Sequence, residues 1–282
     1  MIDSNANIRV KSIDGLTGYH LKMIALITML IDHIAAVLIW RVYVASYAIS
    51  GRVQLATIGD RVVYWVAQNQ EAVFNVYQMM RYIGRMAFPI YCFLLVEGFL
   101  HTKSVANYAK RLFIFALISE IPFDLALSGT WWDMGYSNVF FTLVIGLLLI
   151  WALSYIEKFY EFWQEKKWDD FAGKLICGIA GGFVAIVLGG VAENILMTDY
   201  GMAGVFAIAV LYLTRKTKEI GFVLAVMVLS VMTSSTEILA LLMLLPLMKY
   251  NGQKGKGTKY VFYAFYPVHL FVLALICMAF GV

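Results

Sequence analysis

Two adjacent ionisable residues, Asp32 and His33, lie inside a long apolar stretch, LKMIALITMLIDHIAAVLIW. Ionisable side chains are costly in hydrocarbon, so within a membrane span they indicate a functional site. Histidine exchanges a proton near neutral pH, and a neighbouring acid can orient its ring or balance its charge. Consecutive helical residues point about 100° apart, so these two can flank one cavity without stacking on each other. The pair predicts acid–base catalysis, with His33 and Asp32 as the catalytic residues.

Further polar residues fall at the same predicted depth as this pair. Arg81 and Arg85 are four residues apart, as are Glu120 and Asp124, so each pair lies on one helix face. Asn138 opens the next apolar run. One interpretation is that all five line a substrate cavity. The other is that the arginines pair with the two acids and only lock helices together.

The last apolar run contributes two more candidate substrate-binding residues, Tyr266 and His269. Pro267 lies between them, and a proline inside a helix frees a backbone carbonyl one turn earlier. His269 therefore either lines a cavity or hydrogen-bonds to that carbonyl, and the sequence leaves the choice open.

A second polar layer is predicted near the cytoplasmic face. It includes Glu97, which is predicted to bind substrate. It also includes the lysine- and glycine-rich loop NGQKGKGTKY. Glycines leave backbone N–H groups accessible, and ammonium groups attract phosphates, although basic inner loops also follow from topology alone. The loop lacks the spacing of a P-loop. The candidate phosphate-binding residues are His101, Lys103, Lys110, Arg111, Lys254, Lys256 and Lys259.

The elements that position these residues are predicted to be transmembrane helices. Only 14% of the 282 residues are charged and 62% are hydrophobic, whereas soluble domains have about 25% and 45–50%. A soluble globule of this size cannot bury so much apolar surface. The three cysteines lie in apolar runs, so neither a disulfide framework nor a metal site is expected. The net charge of +4 follows membrane topology and does not indicate a nucleic acid partner.

The apolar runs predict an all-α polytopic membrane protein with about nine crossings and one domain, residues 1–282. With the N-terminus in the cytoplasm, 17 of the 22 Lys and Arg residues fall on the inner side, as the positive-inside rule requires. Residues 41–80 are predicted as an outer loop with one or two surface helices, or as two extra short spans. The nine predicted crossings are Leu21–Trp40, Ile83–Leu100, Ala109–Leu127, Val139–Tyr155, Ala172–Val191, Gly201–Thr214, Ile220–Thr233, Thr236–Met248 and Tyr260–Gly281.

Four stretches resemble the TraX family: LKMIALITMLIDHIAAVL, GRMAFPIYCFLLVEGFLHTKSVANYAKRLFIFALISEIPFDLAL, NVFFTLVIGLLLI and YNGQKGKGTKYVFYAFYPVHL. The family is named for the conjugation protein that N-acetylates the amino terminus of pilin. The first run is also similar, more distantly, to the first helix of the wider transmembrane acyltransferases. In those proteins the pattern M-x-x-x-H carries the active-site histidine, and Met29 and His33 match it.

The resemblance implies acetyl transfer from cytosolic acetyl-CoA to an amine or hydroxyl at or across the cell (inner) membrane. His33 would be the general base, or a nucleophile that carries the acetyl group. Arg81 or Arg85 would stabilise the oxyanion or recognise an anionic acceptor, and the basic inner residues would hold the CoA phosphates. The acceptor stays open between a peptide amino terminus, an amino sugar and a small molecule, as does assembly into a homo-oligomer.

Two other functions are consistent with buried charges in a membrane protein. A small-molecule transporter or flippase would favour an inverted repeat with paired broken helices, and the sequence shows neither. A non-catalytic assembly factor would not need a histidine in the first span.

Overall fold

The computed structural model describes residues 15–48, 56–133, 135–167, 169–257 and 259–282, except the side chain of Lys259. Helices account for 81% of it and strands for none, which confirms the predicted all-α fold. The first half contains α1 (Gly18–His33), a π-helical segment (Ile34–Ile39), α2 (Trp40–Ser46), α3 (Ile58–Gln68), α4 (Gln70–Gly84), α5 (Ala87–His101) and α6 (Val105–Leu127). The second half contains α7 (Val139–Glu165), α8 (Asp170–Gly190), a π-helical turn (Val191–Ile195), α9 (Gly201–Leu213), α10 (Lys218–Met232), a 3₁₀ segment (Ser235–Met243), α11 (Leu244–Met248) and α12 (Lys259–Phe280).

Five helical stretches are long and apolar enough to cross a membrane, as judged by length and composition. Two further stretches, Gly201–Leu213 and Ser235–Met248, are apolar but shorter. The chain is therefore a helical protein suited to the membrane. The five long stretches are Gly18–Ser46, Gln70–His101, Val139–Glu165, Asp170–Ile195 and Tyr260–Phe280.

The described part of the segment predicted as an outer loop contains most of α2, all of α3 and most of α4, and α3 agrees with the surface-helix interpretation. On α3, Val63 and Val66 pack against Val42, while Trp65 is exposed. However, α4 continues through a short turn into α5, so the second half of the segment belongs to a span-length stretch rather than to a loop. Residues 49–55 lie outside the described part of the chain.

One end of the bundle is held together by the predicted cytoplasmic segments. The backbone N–H of Leu16 donates to the carbonyl of Lys249 at 2.8 Å, and that of Asn251 donates back to Leu16 at 2.9 Å. Lys218 donates to the carbonyl of Tyr250 at 2.9 Å. The start of α1, the start of α10 and the loop before α12 therefore meet at the same end.

The predicted outer segments meet at the opposite end. Arg41 donates to the last carbonyls of α6, at Leu125 (2.9 Å) and Ala126 (2.7 Å). Such carbonyls have no partner within their own helix, so a guanidinium is a favourable cap. Ser137, before α7, donates to the carbonyl of Met197, before α9, at 3.1 Å. The buried apolar core lies between the two ends.

Candidate active site

Two histidines from opposite ends of the chain form the centre of the candidate site. His33 is the last residue of α1, and His269 is buried in the middle of α12. The Nδ1 atom of His33 lies 2.6 Å from Nε2 of His269, and the rings are nearly parallel, with centroids 4.9 Å apart. The structure thus joins one predicted catalytic residue to one predicted substrate-binding residue.

The hydrogen bonds of this pair define its tautomers. The Nδ1 atom of His269 lies 2.7 Å from the carbonyl oxygen of Phe265, which can only accept. Nδ1 of His269 therefore carries the hydrogen, and its Nε2 accepts from Nδ1–H of His33. In the neutral pair, Nε2 of His33 is left with a lone pair, as a general base requires. His269 both bonds to a helix carbonyl and lines the site, which combines the two alternatives left open by the sequence.

Tyr266 packs with its edge against both imidazoles. Its ring centroid is 5.7 Å from that of His33 and 5.8 Å from that of His269, and both contacts are T-shaped. Tyr266 also meets Phe140 of α7 edge to face at 5.1 Å. Because Tyr266 is only 3% exposed, it helps to fix the two rings in place.

Asp32 faces Arg81, which corrects the expectation that it orients His33. Its carboxylate lies 2.6 Å from the Arg81 guanidinium, and the side chains are 19% and 25% exposed. The helices approach closely at Gly84, where an added Cβ would lie 2.4 Å from Cβ of Asp32. The 100° between consecutive residues of α1 turns Asp32 towards α4 and His33 towards α12.

Arg85 pairs with Glu237, a residue that the sequence interpretation missed. The two side chains are 2.8 Å apart, and the Glu237 side chain is fully buried. Within the described residues, neither arginine forms a salt bridge with Glu120 or Asp124, so the predicted lock between these pairs is wrong. Glu237 lies at the start of the apolar run 236–248, where the cost of an intramembrane acid would have identified it.

Glu120, Asp124 and Asn138 organise the connection from α6 to α7. Asn138 is buried, and its side chain donates both to the Glu120 carboxylate and to the carbonyl of Ala116, the latter at 2.8 Å. Asp124 accepts from the backbone N–H of Asp133 at 2.9 Å. All three side chains therefore bind groups at the end of α6 or in the connection to α7. Backbone groups at helix ends lack partners within their own helix, and these side chains supply them.

A cleft of about 470 Å³ opens beside the arginine pairs, between the α6–α7 loop, the start of α9 and the end of α10. The Tyr136 hydroxyl donates to the Asp199 carboxylate within it. Burial raises the pKa of Asp199 above its usual range, whereas the positive charges of Arg81 and Arg85 act in the opposite direction. Asp199, which the sequence interpretation missed, is thus an electrostatic neighbour of both arginines.

At the other end of the bundle, the glycine- and lysine-rich loop docks onto the start of α1. Gly18 donates to the carbonyl of Gln253 at 2.7 Å. Gly255 has a φ of +74°, and a Cβ there would lie 2.3 Å from Oγ1 of Thr17, so only glycine fits without strain. Lys22, Lys254 and Lys256 surround a cavity of about 10 Å³ beneath the loop. Lys22, which is not among the predicted phosphate-binding residues, thus lies beside two of them.

The remaining predicted phosphate-binding residues lie around the α5–α6 connection. His101, Lys103 and Lys110 are exposed, and His101 also lies 2.8 Å from the carbonyl oxygen of Glu97 in its own helix. Arg111 is half-buried, with its guanidinium 5.6 Å from the ring centroid of Tyr108. The side chain of Lys259 lies outside the described part of the structure.

Glu97 belongs to the end of the bundle where the loop before α12 meets α1 and α10, rather than to the histidine site. Its carboxylate accepts from the Tyr250 hydroxyl at 3.0 Å, which ties α5 to the loop before α12. Tyr250 in turn binds Lys218 through its carbonyl. The expectation that Glu97 shapes the substrate cavity therefore has no support in its contacts.

Five long apolar helical stretches, with two ion pairs between helices, characterise a helical protein suited to the membrane. The family model described as "TraX protein" matches residues 17–277, so the chain belongs to the TraX family, which is linked to pilin acetylation in conjugation. The chain is also similar to a probable fimbrial assembly protein FimC, serogroup H1, of Dichelobacter nodosus. These two are 36% identical over 84 residues, which cover 26% of this chain and 33% of the relative. No solved structure matches the chain.

Proposed function

We propose that this protein is an integral-membrane acetyltransferase that uses acetyl-CoA and acetylates an amine or hydroxyl of an acceptor at or across the membrane. The histidine pair carries the proposal, because it leaves one nitrogen of His33 as a base on which the charge of Arg81 acts. Membership of a family linked to pilin acetylation agrees with it.

The proposed topology has nine crossings of the cell (inner) membrane, with the N-terminus in the cytoplasm. Two findings support it. The predicted cytoplasmic segments contact each other at one end of the bundle, and the predicted outer segments do so at the other. Gly201–Leu213 and Ser235–Met248 are short for a full crossing, so they need flanking polar side chains that reach the interface.

In the proposed reaction, Nε2 of His33 removes the proton from the acceptor nitrogen or oxygen. The acceptor nitrogen or oxygen then attacks the thioester carbonyl carbon. A C–N or C–O bond forms, and the C–S bond breaks. The imidazolium of His33 then returns its proton to the departing sulfur, so the products are the acetylated acceptor and free CoA. In a two-step route, the same Nε2 would carry the acetyl group.

His269 would hold His33 ready for this proton transfer. Its Nε2 accepts from Nδ1–H of His33 before and after the proton arrives, so the imidazolium keeps a hydrogen-bond partner. Arg81, whose charge also acts on His33, has guanidinium donors besides the one on Asp32 and would stabilise the oxyanion.

The basic cytoplasmic end would bind the phosphates of acetyl-CoA. Lys22, Lys254 and Lys256 converge beneath the loop, and none of them has a salt bridge among the described residues. The cavity between them is small, and its lining includes no residue that contacts His33. The loop of residues 251–257 must therefore move before a pantetheine arm can pass towards His33.

The test uses purified protein in detergent with radiolabelled acetyl-CoA and a panel of primary amines and alcohols. His33→Ala should lower the rate of acetyl transfer by about 100-fold or more, the usual contribution of a general base, and leave the Kd for acetyl-CoA unchanged. His20→Ala removes a histidine that caps α1 and should leave the transfer rate within about threefold of wild type.

A second pair of variants tests His269. His269→Gln offers a carbonyl oxygen as acceptor for Nδ1–H of His33 and should retain more activity than His269→Ala. If folded wild-type protein binds no acetyl-CoA, the acetyltransferase proposal fails. Ion-coupled uptake of a solute into liposomes would then support the transporter.

A further inference from the structure

The cleft beside the arginine pairs is lined by two chemically different groups of side chains. Among its described lining residues are two carboxylates, Glu193 and Asp199, and no lysine, arginine or histidine. The apolar lining residues include three methionines, Met197, Met202 and Met232. Methionine is flexible and polarisable, so such a wall can adapt to apolar groups of different shapes.

The two acids of the cleft differ in what already binds them. Glu193 accepts the backbone N–H of Met202 at 3.0 Å and so caps the start of α9. Asp199 accepts from the Tyr136 hydroxyl through Oδ1, and no other side chain in the described part of the chain donates a hydrogen bond to it. A carboxylate has room for several donors, so Asp199 retains unused acceptor capacity.

The surrounding charges leave this carboxylate without a cation of its own. Arg81 is paired with Asp32, and Arg85 is paired with Glu237. The cluster therefore holds three carboxylates and two guanidinium groups. A cation stabilises a partly buried negative charge, so a positively charged ligand would complete the cluster, whereas an anionic ligand would be repelled.

We propose that this cleft is the acceptor site and that it binds a protonated primary amine attached to an apolar group. This inference rests on the proposed function. Asp199 accepts hydrogen bonds from the ammonium group, the Tyr136 oxygen offers one more acceptor, and Met202 and Met232 contact the apolar part. The site thus selects an amine rather than the anionic acceptor that Arg81 and Arg85 were expected to recognise.

The ammonium form changes the proton balance of the transfer. His33 removes one proton to expose the nitrogen lone pair, and the nitrogen attacks the thioester carbon. When the C–S bond breaks, the second proton of the nitrogen goes to the sulfur. His33 then releases its proton to solvent, so each acetylation of an ammonium yields one free proton, one acetamide and one CoA thiol.

Binding can be tested without catalysis, by the rise in Tm that a ligand causes when it binds the folded state. The probe is 2-phenylethylamine, compared with 2-phenylethanol, which lacks the charge, and with ethanolamine, which lacks the apolar group. We expect the amine probe to raise the Tm of wild-type protein in detergent more than either control at equal concentration. Asp199→Asn should weaken binding of the amine probe by about tenfold or more, because a charge-assisted hydrogen bond is lost.

Two further variants separate the proposed contacts from general damage. Glu193→Gln keeps an acceptor for the Met202 N–H and should weaken binding of 2-phenylethylamine less than Asp199→Asn does, because that carboxylate already caps α9. Met232→Gln replaces an apolar lining side chain and should weaken 2-phenylethylamine but not ethanolamine. The proposal is wrong if folded Asp199→Asn binds the amine as wild type does, or if 2-phenylethanol binds equally well.

The outcome is distinguishable from failure of the proposed function. If the amine binds through Asp199 but no variant or wild-type sample transfers acetyl, the amine-binding site is supported and the acetyltransferase activity is contradicted. If acetyl transfer depends on His33 but Asp199→Asn leaves the KM for 2-phenylethylamine unchanged, the enzyme stands and the acceptor site is elsewhere.

Discussion

The two polar regions of this protein hold their charges in opposite ways. Near the histidine pair, Asp32–Arg81 and Arg85–Glu237 are joined at 2.6 and 2.8 Å, and the Glu237 side chain is fully buried. At the end of the bundle with the glycine- and lysine-rich loop, Lys254 and Lys256 are exposed and form no salt bridge within the described residues. The arginines of the first region are thus paired with carboxylates, whereas the lysines of the second are not.

This difference has an energetic consequence. Removing one member of a buried ion pair leaves a charge in a low dielectric and typically costs about 3–5 kcal/mol, whereas an exposed charge contributes at most about 1 kcal/mol. Substitutions in the buried region should therefore act on folding and rate together. Substitutions at the basic end should act almost entirely on the affinity for acetyl-CoA.

The largest effect is expected for Arg85→Met. It leaves the buried Glu237 carboxylate without its cation and should lower the free energy of unfolding by about 3–5 kcal/mol. Reversible unfolding in mixed micelles measures this. Lys256→Met, at an exposed position, should change stability by less than about 0.5 kcal/mol. Equal losses in the two variants would remove the energetic distinction between the regions.

Gly84→Ala should have the next largest effect. The new Cβ would lie 2.1 Å from Oδ1 and 2.4 Å from Cβ of Asp32, so α1 and α4 must separate. Overpacking of this kind costs about 1–3 kcal/mol and should displace the carboxylate from Arg81. Gly182→Ala is the control, because a Cβ there meets nothing within 4 Å. A Gly84→Ala protein with wild-type Tm and transfer rate would contradict the close approach.

At the basic end, alanine substitutions at two glycines of one loop distinguish the effect of backbone strain from that of a steric clash. Gly252 and Gly255 have φ values of +77° and +74°, but only Gly255 has Thr17 beside its absent Cβ, at 2.3 Å. Alanine costs about 1–2 kcal/mol at either position from its left-handed backbone alone. Gly255→Ala should in addition raise the KM for acetyl-CoA, because the loop must leave α1. Equal KM values in the two variants would show that docking of the loop onto α1 does not affect donor binding.

The smallest effect is expected for the lysines themselves. Lys22→Met and Lys254→Met should each raise the KM for acetyl-CoA a few-fold and leave kcat unchanged, since they would contact only the phosphates. Raising the salt concentration should weaken donor binding in wild type more than in the double variant, because salt screens exposed charges. A fall in kcat with constant KM would place these lysines at the chemistry instead.

Much of the fold could be predicted from local patterns. The apolar run around His33 predicted the first span, and the positions of Gly255 and Lys254 predicted an accessible basic loop. The partners of the buried charges could not be predicted in this way. One of the two sequence interpretations paired the arginines with Glu120 and Asp124, but the structure pairs them with Asp32 and Glu237. The sequence predicts only the depth of each side chain in the membrane, and several acids share the depth of the arginines. The direction in which each helix face points decides which of these acids lies close enough to pair with an arginine.

The sequence by itself determined that this chain is helical, suited to the membrane and equipped with a histidine in its first span, because run length and the cost of buried charge are local properties. Only the tertiary structure decided that His33 meets His269, 236 residues later, and that Arg85 meets Glu237, 152 residues later. Those contacts depend on how each helix is rotated about its axis and which helices are neighbours. Packing of the whole bundle sets both, and no single segment encodes them.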